Sequence, residues 1–231
     1  MLHTFLLPVL AAAAGATLIM LAWNGRNAGQ RRRTARAGYF DACRSLFGSA
    51  TTALAATGFA RLNGRYRGHL FDLQAVPDTL SYRKLPVLWL LVTLPEPQPV
   101  RGTFDLMLRP GGLEVFSKFS DLPMQLTLPA GFPDCATLRT DDASALPSEP
   151  LLRRHLSLFG HDHAKELVIA PAGLRITWLA EQADRGRYLI FRDAEMGMTA
   201  LPPETLRPLL DRLIALLGDL AAEARVPQTA R

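Results

Sequence analysis

Twenty consecutive residues near the N-terminus, from Thr4 to Trp23, include no charged side chain. An α-helix of this length rises about 30 Å, which matches the hydrocarbon core of a bilayer. Pro8 lies near the start, where a helix tolerates a missing N–H donor, and Trp23 lies where an interfacial aromatic residue is typical. The sequence therefore predicts a transmembrane anchor over residues 1–23.

A cleaved secretory signal is the alternative, because residues 11–16 (AAAAGA) offer the small residues that signal peptidases select. Cleavage there would leave a short apolar region, Phe5 to Leu10, and no Lys or Arg precedes it. Both features are untypical of a signal peptide. We therefore predict an uncleaved anchor.

Five arginines follow the uncharged stretch with no acidic residue among them: Arg26, Arg31, Arg32, Arg33 and Arg36. No basic side chain precedes the stretch, so the positive-inside rule predicts that the chain after it is cytoplasmic. We predict a single-pass protein of the cell inner membrane with its N-terminus outside. The same arginines could contact anionic lipid headgroups.

The formal net charge of +5 comes from this N-terminal segment. Residues 1–36 hold five of the 26 basic residues and none of the 21 acidic ones, so the rest of the chain carries 21 of each. A domain without net charge or a nucleic-acid-binding motif is not expected to bind nucleic acid. Cys43 and Cys135 form no CxxC pair and are expected to be reduced thiols in the cytoplasm.

Composition and periodicity divide the remaining chain into three segments. Residues 24–48 are predicted to be a basic juxtamembrane segment and a connector helix, whose apolar side packs on the domain or, alternatively, lies on the membrane. Residues 49–225 are predicted to be an α+β domain of antiparallel hairpins, with a middle helix and a C-terminal amphipathic helix. Residues 226–231 are predicted to be a flexible tail.

Alternating side chains and turn residues predict several strands. Asn63-Gly64 between two extended runs is typical of a two-residue hairpin turn. Residues 85–95 are apolar at both parities, which predicts a central strand covered on both faces. Further strands are predicted at residues 124–128, 135–140 and 185–193.

Two segments of the domain resemble each other without gaps at an offset of 61 residues: 105–116 (DLMLRPGGLEVF) and 166–177 (ELVIAPAGLRIT). Proline followed two positions later by glycine favours a tight chain reversal, so each segment is predicted to be a hairpin. Independent use of one turn chemistry explains the match. The alternative is a duplicated unit, with halves at residues 49–140 and 150–225.

Two segments have helical periodicity. Residues 149–160 are predicted to be the middle helix, which ends at Gly160. Residues 202–225 have an apolar stripe that Leu210, Ile214 and Leu216 make wider than one packing surface needs. A helix packed on the sheet is the simpler interpretation, and the alternative is that these three residues bind a partner helix or a second copy of the chain.

His161 and His163 form the one metal-like pattern, because residues two apart on an extended chain face the same way. A solvated loop is the simpler interpretation of this polar stretch, since it directly follows a predicted helix end. Motifs of serine hydrolases, P-loop NTPases and dinucleotide-binding folds do not occur in the sequence, so no catalytic residue and no cofactor is predicted.

The predicted anchor, the missing motifs and the wide last helix lead to one functional hypothesis. The chain is expected to be a non-enzymatic membrane-anchored protein whose cytoplasmic domain docks on a larger membrane protein complex or assists its assembly. Two alternatives remain: a membrane-tethered metal-dependent enzyme that uses His161 and His163, and a sensor of anionic lipid surfaces that uses the five arginines.

Overall fold

The computed structural model describes residues 2–79, 85–112 and 114–225, with side chains from residue 13 onward. It consists of a long N-terminal helix and one large antiparallel sheet with a few further helices, so the predicted α+β class is confirmed. The predicted tail of residues 226–231 lies outside the described residues. The helices are α1 (Leu2–Ala37), α2 (Glu149–His155), α3 (Arg185–Phe191) and α4 (Pro203–Arg225). The strands are β1 (Ser49–Leu54), β2 (Ala60–Tyr66), β3 (His69–Asp78), β4 (Val87–Leu94), β5 (Phe104–Leu108), β6 (Met124–Leu126), β7 (Ala136–Thr140), β8 (Ala164–Ala170) and β9 (Gly173–Gln182).

The strands form one sheet in the order β1-β2-β3-β4-β9-β8-β5-β7-β6, and each neighbouring pair is antiparallel. β4 pairs with β9 in the middle of this sheet, where Val92 lies opposite Ile176. Because β9 comes from the second half of the sequence, the predicted halves 49–140 and 150–225 share one sheet and one main core.

One face of the sheet carries the main core. Alternate residues of β4 point to this face, and Leu88, Leu90 and Val92 are completely buried. The long helix α4 packs there against β4, β9 and a 3-10 segment, Asp41–Leu46. The prediction that the last helix packs on the sheet is therefore confirmed.

The opposite face of β4 is covered as well. Leu91 is buried there in a smaller apolar cluster with Met107, Phe116 and Phe119, and Trp89 packs against it. The segment that follows β5 supplies the two phenylalanines. The prediction of a central strand covered on both faces is confirmed.

Helix α1 is continuous across the boundary predicted between anchor and connector. It ends at Ala37, and the connector continues as a turn and the 3-10 segment, with Tyr39, Phe40 and Cys43 almost fully buried in the main core. The apolar side of the connector therefore packs on the domain. Burial raises the pKa of the Cys43 thiol to about 12, and this thiol donates to the Leu201 carbonyl at 3.1 Å.

The structure describes no side chains for residues 1–12, where the predicted anchor begins. Over the described part of the chain, no helix combines the length and the apolar character needed to cross a membrane. The transmembrane helix therefore stays a prediction.

The turn predicted at Asn63-Gly64 is wrong, because both residues lie inside β2. The chain reverses at Arg67-Gly68, whose φ angles of 49° and 89° suit a type I′ turn. Gly64 serves a different purpose: a Cβ at this position would lie 2.7 Å from the ring of Phe47. The glycine lets this ring pack directly on the sheet, a contact that the local pattern does not reveal.

Of the two predicted hairpins, the second is confirmed and the first is wrong. β8 and β9 form a hairpin in which Ala170 pairs with Gly173. β5 instead pairs with β7 and β8, and Phe116, at the end of this segment, packs with Phe119 on the second face of the sheet. Since one of the two similar segments is not a hairpin, the structure does not show two matching hairpin units, and the duplication stays a prediction.

The strand predicted at residues 185–193 is also wrong, because most of this segment is helix α3. The Asp184 side chain caps the helix by accepting from the Arg187 N–H at 2.7 Å, and Arg192 ends it in a left-handed conformation. The shorter predicted strands are confirmed as β6 and β7. The predicted middle helix is α2 with a 3-10 continuation, Leu156–Gly160, and Leu151 and Leu152 are buried.

Candidate functional site

Two parts of the structure stand out as candidate sites, and the first is the junction of α1 and α3. Arg32 on α1 donates two hydrogen bonds to the Asp193 carboxylate, and Glu195 lies 3.9 Å from the same guanidinium. One turn further along, Arg36 stacks on the Phe59 ring at 5.1 Å and its Nε–H donates to the Met196 carbonyl. These contacts fix the end of α1 to the chain segment that follows α3.

The five arginines predicted to set membrane topology therefore divide into two groups. Arg32 and Arg36 are half-buried against the domain, whereas Arg26, Arg31 and Arg33 are exposed on α1. The positive-inside rule only counts charged residues, so it does not show which of the arginines contact the folded domain.

Helix α3 presents an exposed apolar patch beside this junction. Leu189, Ile190 and Phe191 are 56%, 74% and 70% exposed. The neighbouring Arg187 pairs with Glu195 at 2.8 Å and with Asp193 at 3.5 Å, which ties α3 to the same acids that bind α1. We name residues 189–191 the α3 patch. A contiguous apolar surface of this kind is typical of an interaction site.

The second candidate site is a cleft on the second face of the sheet, with one buried acid, Asp105, in its lining and a second, Glu166, beside it. Glu166 of β8 is completely buried, and its carboxylate accepts from three side chains. Arg175 Nη2 donates at 3.1 Å, Thr177 Oγ1 donates at 2.8 Å, and the Ser117 hydroxyl also donates. Both carboxyl oxygens of Glu166 thus have hydrogen-bond partners in this buried position.

Asp105 of β5 is the second buried acid, at 3% exposure, and its Oδ1 atom has no hydrogen-bond partner among the described residues. Burial, together with the negative charge of Glu166, raises the pKa of the Asp105 carboxyl to about 8, although Arg175 acts in the opposite direction. At neutral pH this carboxyl is therefore mainly protonated.

The cleft, which Asp105 and Arg175 line, has a volume of about 660 Å³. Its floor is the sheet, and one of its walls is the segment after β5, including Val115, Phe116 and Leu122. Phe116 is anchored from below by Trp89, at 5.1 Å between ring centroids. The crossing segment that replaced the first predicted hairpin thus builds the cleft.

Sequence patterns missed this acid pair, although a signal was present. Asp105 and Glu166 occupy the same position in the two similar segments, each an acid that opens an otherwise apolar run. Acids in apolar strands are rarely buried without a reason. Only the order of strands, with β5 beside β8, shows that the two carboxyls lie near each other.

The predicted metal ligands His161 and His163 lie in an exposed turn, and both rings contact Trp178, at 5.9 and 5.7 Å between ring centroids. In the part of the chain that the structure describes, no group of three or more His, Cys, Asp or Glu side chains gathers in a way that could hold a metal ion. The two histidines therefore lack the additional ligands that a metal centre requires.

The predicted partner residues of the last helix are located mainly in the core. Leu210 and Leu216 are 0% and 2% exposed and pack inside the domain, as the simpler interpretation predicts, so in this fold neither is accessible to a partner helix or a second copy of the chain. Ile214 is half-buried at the edge of the core. The apolar stripe of α4 is wide because the helix packs against the sheet on one side and against the connector on another.

Comparison with known proteins adds little to these observations. No family model matches the chain, and no curated protein matches its sequence. Among solved structures, the crystal structure of the mycobacterial trehalose monomycolate transport factor A, TtfA, is similar at 13% identity, with 88% of this chain and 98% of that chain covered and a TM-score of 0.35. A likeness at this level carries no argument about function.

Proposed function

We propose that this chain is a non-enzymatic, membrane-anchored protein whose α+β domain docks on a larger membrane protein complex or assists its assembly, on the cytoplasmic side of the inner membrane. The observation that carries the proposal is the exposed α3 patch held beside α1. The anchor itself and its orientation are parts of the proposal and rest on the uncharged stretch and the arginines after it.

The position of the α3 patch along α1 favours a partner within the membrane. Trp23 and Arg32 lie nine residues apart on one continuous helix, which corresponds to about 14 Å. If Trp23 marks the bilayer interface, the segment bound by Arg32 lies about 14 Å from that interface on the cytoplasmic side. A surface at that depth can reach the cytoplasmic part of a neighbouring membrane protein.

The charges around the patch favour a protein over an anionic lipid surface. Arg187 and Arg32 are already paired with Asp193 and Glu195. Over α3 and its flanks, residues 184–195, the charges balance, with three arginines and three acids: Arg185, Arg187, Arg192, Asp184, Asp193 and Glu195. Binding to anionic lipids requires an excess of unpaired positive charge, whereas an apolar patch with a balanced rim is typical of a protein interface.

A sensor of anionic lipids remains a second candidate because Arg26, Arg31 and Arg33 are exposed on α1. It makes a separate prediction. Binding of the full chain to anionic membranes should weaken with salt and with neutral substitutions at these three positions, and it should not depend on the α3 patch.

Photocrosslinking tests the proposed docking directly. A photoreactive amino acid replaces Ile190 in the full-length protein in its native membranes, and a matched protein carries it at Leu54, which is 68% exposed on the edge strand β1. We expect a discrete adduct with a different protein from position 190 and none with that protein from position 54. Adducts with lipid alone, or the same adducts from both positions, would contradict docking through α3.

Substitution of the patch gives an independent test. The triple variant Leu189→Ser, Ile190→Ser, Phe191→Ser should fold normally because these side chains are exposed, and it should lose the complex seen on native gels. The variant Leu54→Ser is the control for a loss of exposed apolar area elsewhere. A triple variant that still migrates with the complex would reject the α3 patch as the docking surface.

A further inference from the structure

The two edges of the sheet differ in how well they are protected against pairing with another strand. β6 is three residues long, with Pro123 directly before it and Pro129 shortly after it. β1 is six residues long, and its sequence, SATTAL, contains neither a proline nor a charged side chain. Short strands, prolines and charges are the usual protection of a sheet edge. The edge at β6 therefore has such protection, and the edge at β1 lacks it.

The outer side of β1 carries a row of backbone groups that point away from β2. The Ala55 N–H donates to the Phe59 carbonyl at 2.8 Å, and these two residues continue the register of β1 with β2. Residues that bond to the neighbouring strand alternate along an antiparallel ladder, so Ala50, Thr52 and Leu54 direct their N–H and C=O groups outward. Over the described part of the chain, no strand pairs with this side of β1.

The side chains of β1 leave this edge accessible. Thr51, Thr52 and Ala53 are small and exposed, and Leu54 is 68% exposed although it is apolar. A strand that pairs with the edge thus meets no bulky or charged side chain, and it removes the leucine from water.

A second copy of β1 matches this row of backbone groups in one register. Opposite residues of an antiparallel pair form hydrogen bonds only when both direct their backbone groups toward each other. A two-fold axis at Thr52 places the two Thr52 residues opposite each other and Ala50 opposite Leu54 of the second copy. Each of these pairs exchanges two hydrogen bonds, so every outward residue of both copies is paired. A shift of two residues leaves the end of each row unpaired.

The composition of β1 favours pairing with itself. Near a two-fold axis each side chain lies close to its own copy, so a charged residue there would repel itself. β1 has no charged residue, and threonine opposite threonine is a favourable cross-strand pair. The small side chain of Ala50 leaves room for Leu54 of the second copy.

We propose that two copies of this chain pair through β1, antiparallel about Thr52, so that their sheets join into one continuous sheet. The partner at this edge is therefore the chain itself. The proposal does not rest on docking through α3, because β1 and the α3 patch share no residue.

Single cysteines test the register in the full-length protein in its native membranes. Cys135→Ser removes the exposed native thiol, and Cys43 is buried. In this background, Thr52→Cys is compared with Thr51→Cys under mild oxidation. The proposed register places the two copies of residue 52 about 5.5 Å apart between Cα atoms, within the range of a disulfide. The two copies of residue 51 lie about 8 Å apart, beyond that range.

We expect at least about tenfold more covalent dimer from Thr52→Cys than from Thr51→Cys. No dimer from Thr52→Cys, or as much dimer from Thr51→Cys, would overturn the proposal. A disulfide between Thr52→Cys and a different protein would assign the edge to that protein and would also overturn it.

Proline substitution tests the backbone hydrogen bonds. The Thr52 N–H points away from β2, so Thr52→Pro removes it without removing a bond of the β1–β2 ladder, and we expect this variant to fold. Thr52→Val keeps the N–H and the branched side chain and is the matched control. Circular dichroism and urea unfolding check the fold of both variants, and the cysteine comparison tests the pairing even if Thr52→Pro does not fold.

Sedimentation of the full-length protein in a mild detergent measures the dimer. We expect the unchanged protein and Thr52→Val to form the dimer, and Thr52→Pro to weaken dimer formation by about tenfold or more through loss of the central hydrogen bonds. The triple serine variant of the α3 patch should still form the dimer, which separates this proposal from docking through α3. A monomeric unchanged protein, or a folded Thr52→Pro variant that forms the dimer as readily as Thr52→Val, would reject pairing through β1.

Discussion

Arg32 and Asp193, 161 residues apart in the sequence, form a two-pronged ion pair that joins α1 to the segment after α3. The Nη1–Oδ1 distance is 2.9 Å, and both side chains are about one-quarter to one-third exposed. Hydrogen bonds from Arg32 and Arg187 lower the pKa of the Asp193 carboxyl. Asp193 is therefore one of the contacts that hold α1 against the domain, together with Glu195 and the Arg36 contacts.

Replacing Asp193 by Asn should loosen this junction. We expect a loss of about 1 kcal/mol in the free energy of unfolding near neutral pH, because a charge-assisted pair becomes a neutral contact that remains partly solvated. A lowered pKa in the folded state stabilises above the unfolded value and is lost as pH falls through the folded value. The difference between the unchanged protein and the variant should therefore shrink in acid, below about pH 4.

Chemical unfolding at several pH values checks this prediction, and hydrogen exchange along residues 26–37 reports the local loosening. Asp134→Asn is the control, because Asp134 is exposed and forms no ion pair within the described residues. A constant difference across the pH range would show that the Asp193 charge is not what holds α1.

Substituting Asp105 should change how stability depends on pH. The folded pKa of about 8 exceeds the ordinary value of 3.8, so between these values unfolding releases a proton and the folded state loses stability as pH rises. The slope from one such group is about 1.4 kcal/mol per pH unit. Asp105→Asn removes this contribution, so its stability relative to the unchanged protein should increase from about pH 4 to pH 8 and then level off.

Urea unfolding of the two proteins across this pH range measures the difference. Asp121→Asn serves as the control, since Asp121 lies on the exposed part of the segment that covers the cleft. If the curves of the unchanged protein and the variant Asp105→Asn stay parallel, the carboxyl titrates at its ordinary pKa and is not a neutral group at the cleft floor.

The elements that sequence patterns located correctly are those whose signals are local. The alternation in β8 and β9 and the Pro171-Ala172 turn between them lie within one hairpin, so the pattern suffices. The first similar segment has the same turn chemistry, but Phe116 and Phe119 gain more by covering the second face of the sheet. Such competition between local turn chemistry and distant packing is invisible in a single segment.

The candidate sites were harder to predict for the same reason. The acid in each similar segment is visible in the sequence, but the nearness of Asp105 and Glu166 depends on β5 lying beside β8 in the sheet. Likewise, Arg32 reads as one of several arginines until the fold brings Asp193 to it. Strand order and long-range pairing are non-local properties, and periodicity does not encode them.

Gly64 lies in β2, at the position of the wrongly predicted turn, and substituting it tests the close packing of the Phe47 ring on the sheet. Gly64→Ala places a Cβ 2.7 Å from the Phe47 ring and should cost about 1–3 kcal/mol of stability through overpacking. Gly48→Ala is the control, since no atom lies within 4 Å of the added methyl group. Thermal or urea unfolding compares the two variants.

A double variant separates this clash from other effects of alanine. In a Phe47→Ala background the ring is absent, so Gly64→Ala should cost much less than in the unchanged protein, which a double-mutant cycle measures. Additive costs would mean that the glycine is needed for its backbone and not for the approach of Phe47.

The buried ion pair between Lys165 and Glu114 should contribute more to the stability of the fold than an exposed ion pair does. Lys165 donates to Glu114 at 2.9 Å and to the carbonyls of Leu108 and Arg109 at 3.0 and 2.8 Å, and the side chains of Lys165 and Glu114 are less than one-tenth exposed. Lys165 lies where the register of β8 shifts against β9, between Ala164 and Glu166, and the shift turns its side chain toward the start of the segment that covers the cleft.

Lys165→Met leaves the Glu114 carboxylate buried without its cation, so we expect a loss of about 3–5 kcal/mol in the free energy of unfolding. The double variant Lys165→Met, Glu114→Gln should recover part of this loss because no charge is then left unpaired, and Lys118→Met should be close to neutral as an exposed control. Urea unfolding of these variants measures the contribution of the ion pair. A loss below about 1 kcal/mol for Lys165→Met would mean that water reaches Glu114 and that the segment after β5 does not cover the ion pair.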